Sequence, residues 1–363
     1  MFFVFIGVTL LALGYVLWHV WCILPLSKVG KWIVVGLMMA AFISLFLFLG
    51  GRLERLNLPL ASVLYEVTTS TLFILLYLLM FFIVADIARL CHVLPSKFLH
   101  ESWVATAVVV VCMTCIFVAG NIKYKNTVRV PLQISTDKPL DKDYKIVMAS
   151  DLHLGYHNRK DELTRWVKII NSEKPDIVLI AGDLIDVSMR PLIEEDMASV
   201  LRQIEAPVYA CLGNHEYYSN EPRARQFYQD AGIRLLIDSA ALVDGRICIV
   251  GRDDRTNFQR KPLDKLMANV ADSTFNIVLD HQPYELEKAE QAHVDFQLSG
   301  HTHRGQVWPI SLITDAVYEC SWGPWKKGNT QFYVSSGMGI WGGKFRIGTQ
   351  SEYVVASLSS TRK

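Results

Sequence analysis

Four long apolar segments fill the first 120 residues of the chain, and short polar stretches separate them. Each is close to the ~20 residues that an α-helix needs to cross ~30 Å of hydrocarbon. Tryptophans stand near the segment ends, where amphipathic rings favour the interface between membrane and water. The pattern therefore predicts four transmembrane helices, over residues 2–24, 32–49, 67–84 and 103–119.

Two other interpretations of these segments are weaker. Buried helices of a soluble fold would need polar faces, and four such segments within 120 residues leave almost none. A cleaved signal peptide would begin with a basic stretch, which the first segment lacks. We therefore expect residues 1–120 to form a four-helix transmembrane domain.

The charged residues support this division of the chain. Residues 1–120 carry six Lys or Arg and four Asp or Glu, and the chain's totals of 36 and 35 leave 30 and 31 for residues 121–363. Four spans would place both termini on one side of the membrane, with five basic residues near that side and four near the other. Under the positive-inside rule this slight excess favours a multi-pass protein of the inner membrane with a cytoplasmic C-terminal domain.

Beyond residue 120 the pattern becomes that of an α/β domain. A polar stretch with Pro131 and Pro139, residues 121–144, is expected to be a connector. Short β-rich runs then alternate with helical patterns, in one of which apolar residues from Leu163 to Ile170 recur at i, i+3, i+4 and i+7. The predicted strands cover residues 145–150, 176–181, 208–212, 246–250, 276–280, 295–299, 332–335 and 353–358. We expect one domain with layered sheets over residues 145–363.

The seven cysteines indicate no disulfide framework. Four lie in or beside the apolar segments, where cysteine acts as a small apolar residue, and the pair Cys112 and Cys115 is interpreted as helix packing. The other three, Cys211, Cys248 and Cys320, are scattered through the second part. This set is compatible with a reducing compartment.

Side chains that can bind metal ions follow five of the predicted strands. Because strand ends on one side of a sheet bring distant residues together, we expect these side chains to converge. Carboxylate, imidazole and amide groups without thiolates suit divalent ions, with manganese preferred over iron, zinc or magnesium. Seven ligands are too many for one ion and fit two ions that share a carboxylate. The candidates are Asp151, His153, Asp183, Asn214, His281, His301 and His303.

The order of these motifs resembles that of the calcineurin-like metallophosphoesterases. Within residues 145–360 the chain carries, in this order, the motifs DLHLG, AGDLID, GNHE, DHQP and SGHTHRGQ. These motifs are most similar to those of the bacterial membrane-anchored phosphodiesterase branch. The resemblance implies an α/β/β/α fold, in which two packed mixed sheets are flanked by helices. It also implies hydrolysis of a phosphoric ester by a hydroxide that bridges two metal ions.

The resemblance gives each candidate a role. One ion would take Asp151, His153 and His303, the other would take Asn214, His281 and His301, and Asp183 would bridge both. His215 would be the general acid that protonates the leaving oxygen, a role that suits imidazole near neutral pH. Asp186 would orient His215 by accepting a hydrogen bond.

Residues beside the motifs have two interpretations each. Glu216 either supports its loop or touches reacting groups, and His157 and His293, which belong to no motif, are expected to be solvated or structural. Arg304 follows the last ligand, and its guanidinium is expected to bind phosphate oxygens. A salt bridge that stiffens the loop is the alternative, and Arg159 is a weaker candidate of the same kind.

A group of apolar residues near the C-terminus also has two interpretations. It either forms a membrane-facing rim that admits an acyl chain, or packs as ordinary aromatic loops, and we favour packing. Its members are Trp308, Trp322, Trp325, Met338, Ile340 and Trp341.

These features together predict a membrane-anchored phosphohydrolase with two metal ions, a phosphodiesterase or pyrophosphatase that acts on a phospholipid or a nucleotide-linked glycolipid. A non-catalytic metal-binding scaffold is the alternative from another class, but it would have lost ligands, and no motif is missing here. A nuclease is the third candidate. No nucleic acid is expected, because 30 basic against 31 acidic residues in 121–363 provide no general attraction to a phosphate backbone.

Overall fold

The computed structural model describes residues 2–46 and 51–361, with side chains from residue 7 onward. The chain forms two compact units. The first is Met1–Asn121 with Gly342–Lys344, and the second is Ile122–Trp341 with Phe345–Lys363.

The first unit consists of α-helices. In its described part these are α1 (Phe2–Ile23), α2 (Lys28–Ile43), α3 (Leu58–Leu90) and α4 (Trp103–Lys125), with short 3₁₀ turns at Arg52–Arg55 and Ser96–Leu99. Asn57 caps α3, because its side-chain oxygen accepts a hydrogen bond from the Leu60 N–H at 3.0 Å.

Among the described helices, two are long and apolar enough to cross a membrane. They are α3, with 33 residues, and α4, with 23 residues. The 16 residues of α2 reach only ~24 Å at ~1.5 Å per residue, and the part of α1 with described side chains, Gly7–Ile23, is also short.

The prediction of four spans is therefore supported for two of them, those over residues 67–84 and 103–119. For residues 2–24 and 32–49 the described residues provide only shorter apolar helices, Gly7–Ile23 and Lys28–Ile43, so these two spans stay predictions. Residues 47–49 of the second predicted span lie outside the described residues. The two apolar helices favour association with a membrane.

The second unit contains two mixed six-stranded sheets. In chain order the strands are β1 (Val128–Thr136), β2 (Tyr144–Ala149), β3 (Ile177–Ala181), β4 (Val208–Cys211), β5 (Arg234–Leu235), β6 (Ser239–Val243), β7 (Ile247–Gly251), β8 (Phe275–Leu279), β9 (Phe296–Ser299), β10 (Gly323–Lys327), β11 (Thr330–Val334) and β12 (Glu352–Ser360). One sheet has the order β1-β12-β2-β3-β4-β5 and the other β10-β11-β9-β8-β7-β6. In the first sheet the neighbours β2, β3, β4 and β5 are parallel to one another. In the second sheet β7 pairs in parallel with β8, β8 with β9, and β9 with β11.

Helices flank the two sheets. They are α5 (Lys160–Ser172), α6 (Arg190–Glu194), α7 (Met197–Leu201), α8 (Asn214–Tyr218), α9 (Glu221–Asp230), α10 (Leu263–Met267), α11 (Leu286–Gln291) and α12 (Ile310–Val317). The four apolar residues that predict a helix over α5, from Leu163 to Ile170, are all buried on one face of it.

The packing of alternate residues produces four layers. In β2, Ile146 and Met148 lie in the core between the two sheets, together with residues of the second sheet such as Ile277. Val147, on the other face of β2, packs in the core that contains α5. A third core lies between the second sheet and α10 and α11. The predicted arrangement of two packed mixed sheets between helices is confirmed.

Residues 121–144, expected to be a connector, contain the end of α4 and the whole of β1. This strand pairs in parallel with β12 along nine residues, from Val128 opposite Glu352 to Thr136 opposite Ser360. Pro131 is tolerated because β1 is the edge strand of its sheet, where a missing N–H removes no essential ladder bond. The expectation of a connector is therefore corrected: the proline marks an edge strand.

Candidate metal centre and active site

The segments that follow β2, β3, β4, β8 and β9 contain all seven predicted ligands, with Asn214 as the first residue of α8. Hydrogen bonds join these segments to one another. The Asp151 N–H donates to the Gly182 carbonyl at 3.1 Å, and the Gly300 N–H donates to the His281 carbonyl at 2.9 Å. The loops approach so closely that only glycine fits at Gly300, where a Cβ atom would lie 2.2 Å from the Asp151 carboxylate.

The first group of ligands is Asp151, His153 and His303. Their donor atoms lie within 4.8 Å of one another, and all three residues are buried. His153 Nε2 lies 3.0 Å from His303 Nε2, and Asp151 Oδ1 lies 3.6 Å from the latter nitrogen. Two imidazoles and a carboxylate thus direct their donor atoms at one point.

The second group is Asp183, His281 and His301, whose donor atoms also lie within 4.8 Å of one another. His281 Nδ1 donates to the Ala181 carbonyl at 2.8 Å, which directs the other ring nitrogen, Nε2, at Asp183 Oδ2, 3.0 Å away. His301 Nδ1 lies 2.9 Å from Asn214 Oδ1. Asn214 therefore joins this group, as the resemblance implies.

Asp183 lies between the two groups. Its Oδ2 is 3.0 Å from His281 Nε2 in the second group and 3.7 Å from His153 Nε2 in the first. Donor atoms that face one another in a buried pocket need a cation or a proton between them, and His281 Nε2 is buried without a hydrogen-bond partner among the described residues. The donor set fits two divalent ions.

The charges inside the pocket shift several pKa values. Burial alone would lower the pKa of His281, but the charge of Asp183 outweighs it and raises this pKa well above its usual value. Burial would raise the pKa of Asp183, but the charges of His281 and His215 hold it well below its usual range. Burial and the His281 charge lower the pKa of His301 to about 4, and burial also lowers that of His303. Asp183 is thus an anion, and His301 and His303 are neutral donors.

His215 and Asp186 form a third group with His153. Asp186 Oδ1 lies 3.1 Å from His215 Nδ1 and 3.4 Å from His153 Nδ1. Asp186 thus faces the Nδ1 atoms of both rings, whereas His153 directs its Nε2 at the first group of ligands. Asp186 therefore orients the two rings and does not face the point where the donor atoms of that group meet. Burial would lower the pKa of His215, but the charges of Asp183 and Asp186 raise it to about 9.

Glu216 supports the loops. Its carboxylate accepts hydrogen bonds from the N–H groups of Gly213 at 2.7 Å and Ile185 at 3.0 Å and from the Tyr228 hydroxyl at 3.1 Å. Burial, followed by the charge of Asp183, raises its pKa. Of the two interpretations of Glu216, the geometry favours the structural one.

The other candidates beside the motifs lie in different surroundings. His157 is buried, and its Nε2 lies 2.7 Å from the Ile340 carbonyl, whereas His293 is exposed. Arg159 pairs with Glu195 through its Nε at 2.8 Å. These contacts support structural or solvated roles for the two histidines and leave Arg159 committed to a carboxylate.

Arg304 lies beside the first group of ligands and pairs with no carboxylate in the described part of the chain. Its guanidinium carbon lies 4.4 Å from the centre of the Trp322 ring, a cation–π contact. Trp322 is held in turn by Glu352, which accepts from its Nε1 at 3.1 Å. The salt bridge considered as an alternative is not present here, and the N–H groups of Arg304 remain available to an anion.

The apolar group near the C-terminus divides between packing and exposure. Met338 and Ile340 are fully buried, and Trp322 packs against Arg304. Trp308 and Trp325 are 47% and 43% exposed. Packing thus describes three members, two tryptophans remain at the surface, and Trp341 is partly buried.

Arg346 is a buried arginine that the sequence analysis does not identify. Its guanidinium donates to the carbonyls of His303 and of three residues in the loop 336–339, at 2.6–3.2 Å. Burial lowers its pKa to about 10. The Gly339 N–H donates to the Asp151 carbonyl at 3.0 Å, so Arg346 connects two loops that carry ligands. A lone arginine outside any motif gives no indication of this role, because its acceptors are distant backbone carbonyls.

Comparison with known proteins identifies the family. The family model described as calcineurin-like phosphoesterase matches residues 144–305. A metallophosphoesterase of Aquifex aeolicus is 31% identical over 62% of this chain and 89% of its own length. One of Campylobacter jejuni is 31% identical over 61% of each chain, and a transmembrane protein with metallophosphoesterase domain of Danio rerio is 30% identical over 62% of this chain and 57% of its own length. The chain belongs to the calcineurin-like phosphoesterases.

The chain matches only part of the length of these relatives. The alignment spans about three-fifths of the first curated relatives, between 59% and 61% of their length. Members of this family bind two divalent ions, and the two groups of histidines and aspartates fit that number.

Replacement of Arg346 by methionine tests its role in the site. We expect Arg346→Met to lower the affinity for Mn²⁺ by about 10- to 100-fold, because the His303 carbonyl and the loop 336–339 lose the donor that joins them. Isothermal titration of the metal-free chain with Mn²⁺ measures this change. Arg346→Lys, which keeps part of the donors, should lie between, and Arg246→Met, which removes an exposed arginine paired with Asp141, is the matched control. Equal affinities in all variants would contradict the role.

Proposed function

We propose that the protein is a membrane-anchored phosphohydrolase that uses two divalent metal ions, with manganese preferred, and acts as a phosphodiesterase or pyrophosphatase. The observation that carries this proposal is the position of Asp183 between two groups of buried ligands, 3.0 Å from His281 and 3.7 Å from His153. A shared carboxylate is the feature that distinguishes a centre for two ions from two separate metal sites.

The residues of each group have a defined task in this proposal. Asp151, His153 and His303 hold one ion, Asn214, His281 and His301 hold the other, and Asp183 binds both. When bound, such a pair of ions supplies an activated water as nucleophile and neutralises charge on the phosphoryl oxygens.

His215 is the general acid in this proposal. The carboxylate of Asp186 at 3.1 Å holds Nδ1 and so leaves Nε2 to carry a proton towards the leaving oxygen. The negative charge of Asp186 beside Nδ1 stabilises the protonated imidazole, which supports proton donation. Asp186 acts through His215 and is a positioning residue.

Arg304 binds the phosphoryl group in this proposal. Its planar guanidinium can donate two parallel hydrogen bonds to phosphate oxygens, and stacking on Trp322 restricts its motion. The absence of a carboxylate partner among the described residues supports this role over a structural one.

We further propose that the substrate is lipid-linked, as in a phospholipid or a nucleotide-linked glycolipid, and that the chain lies in the inner membrane with its catalytic unit in the cytoplasm. The two apolar helices and the transmembrane relatives support membrane attachment. Helix α12 follows the loop of His303 and exposes Leu312, Ile313 and Val317 by 57%, 62% and 57%, which supports contact with an acyl chain or bilayer.

Removal of single ligands tests the metal assignment. Asp183→Ala and His281→Ala should abolish the Mn²⁺-dependent hydrolysis of bis(p-nitrophenyl) phosphate, because each removes a ligand from the shared centre. Release of p-nitrophenol by the full chain in detergent measures this. His293→Ala, at an exposed histidine outside the site, is the control. Activity retained in either ligand variant would show that the ions are held elsewhere.

Leaving groups of different acidity test the general acid. His215→Ala should slow hydrolysis of a diester with a poor leaving group, such as an alkyl alcohol, by about 100-fold or more, and that of a nitrophenyl diester much less, because a nitrophenolate leaves without a proton. The ratio of kcat values for the two esters measures the difference. An equal loss for both would argue that His215 binds substrate and transfers no proton.

A further inference from the structure

The loop after β7, residues 252–260, carries three arginines, of which two are paired. Arg252 and Arg260 donate to the two carboxylate oxygens of Asp280, at 2.6 Å and 3.1 Å. Arg255 forms no ion pair with any described residue, and its Nη1 is buried without a hydrogen-bond partner among them. Two of the three cations of this loop thus share one carboxylate, and Arg255 has no ion-pair partner among the described residues.

The nearby carboxylates do not lack partners of their own. Asp253 accepts from the Tyr217 hydroxyl at 2.7 Å and from Asn257 at 2.8 Å, and Asp254 accepts from Gln282 at 3.0 Å and 2.9 Å. Glu285 pairs with Lys288. These carboxylates bond to other groups, and Arg255 forms no ion pair with any of them, which is the arrangement expected of a cation that binds an external anion.

Contacts with aromatic rings fix the guanidinium of Arg255. Its central carbon lies 4.2 Å from the centre of the Tyr284 ring. The Tyr284 hydroxyl donates to the Tyr318 hydroxyl at 3.0 Å, and the Tyr318 ring centre lies 6.3 Å from that of His301. A continuous row of side chains thus leads from the second group of metal ligands to Arg255.

The backbone ties the same loop to the metal centre. Gln282, which donates to both oxygens of Asp254, directly follows His281 in the chain. Arg255 follows Asp254, so both the aromatic row and this pair of hydrogen bonds hold its guanidinium close to the loop of His281.

We propose that Arg255, with Tyr284 and Tyr318, forms a subsite for a second phosphate group of the substrate, separate from the one that reacts. This inference rests on the proposed phosphohydrolase function. Arg255 is partly exposed, and Nη1 of its guanidinium has no hydrogen-bond partner among the described residues. A planar guanidinium can donate two parallel hydrogen bonds to a phosphate, and stacking on Tyr284 fixes its plane. The substrate class is therefore one with two phosphate groups, such as a diphosphate or a phosphodiester that carries a further phosphate.

Binding of alkane bisphosphonates measures the subsite without turnover. The full chain in detergent is loaded with Mn²⁺, freed of unbound metal and titrated with α,ω-bisphosphonates from methylene to hexylene and with methylphosphonate. The bisphosphonate of one spacer length should bind more tightly than methylphosphonate, and the ratio of these two affinities is the preference that measures the subsite. Arg255→Met should reduce this preference by about 10- to 100-fold, because one charge-assisted bidentate contact is lost.

Two variants serve as matched comparisons. Arg255→Lys keeps the charge without the planar fork and should retain part of the preference. Arg234→Met removes another arginine stacked on a tyrosine, 5.8 Å from the Tyr209 ring centre on the edge strand β5, and should retain all of it.

The outcomes separate this inference from the proposed function. An identical preference in Arg255→Met and the unaltered chain at every spacer length would overturn the subsite, even when the unaltered chain hydrolyses bis(p-nitrophenyl) phosphate. If the unaltered chain does not hydrolyse bis(p-nitrophenyl) phosphate but Arg255→Met still loses the preference, the proposed function is overturned and the subsite is kept. A phosphonoalkanoate of the best length carries a carboxylate in place of the second phosphonate. If Arg255→Met lowers the affinity for this compound as much as it lowers that for the bisphosphonate, Arg255 recognises a carboxylate, contrary to the assignment.

Discussion

The carboxylate of Asp183 lies where the ends of both sheets meet, with His281 at 3.0 Å and His153 at 3.7 Å. A buried anion is costly unless positive charge surrounds it, so this position requires either protonated imidazoles or cations. His153 follows β2 and Asp183 follows β3 in one sheet, whereas His281 follows β8 in the other. Each group of ligands thus draws on both sheets, since His303 of the first group follows β9, and the packing of the sheets through the core that contains Met148 and Ile277 brings both groups together.

The loops that carry the ligands depend on further buried polar groups. Glu216 accepts hydrogen bonds from the loops after β3 and β4, and Arg346 donates to the carbonyl of His303 and to that of Gly339 in the loop 336–339. Several ligands also have a left-handed backbone, with φ of 52° at Asp151 and 49° at Asp183. Such conformations cost about 1–3 kcal/mol each and persist where surrounding contacts hold them. The buried hydrogen bonds of Glu216 and Arg346 supply those contacts.

The layered fold and the convergence of the seven ligands could be predicted because both follow from local patterns: apolar runs form buried strands, and each motif directly follows one. The length of α2 and the strand β1 could not, because an apolar pattern does not mark a helix end and because Pro131 is equally typical of a connector and of an edge strand. Arg255 and Arg346 were missed for a related reason. Their roles depend on which other groups are already paired, such as Asp280 with Arg252, and pairing of that kind is visible only in three dimensions.

The central claim is that Asp183 joins two metal ions in one centre. Electron paramagnetic resonance of the Mn²⁺-saturated chain, combined with its metal content, tests this most directly. We expect two ions per chain and the spectrum of an exchange-coupled pair, because ions that share a carboxylate lie only ~3.5–4 Å apart. A single ion per chain at saturation, with the spectrum of isolated Mn²⁺, would contradict the account.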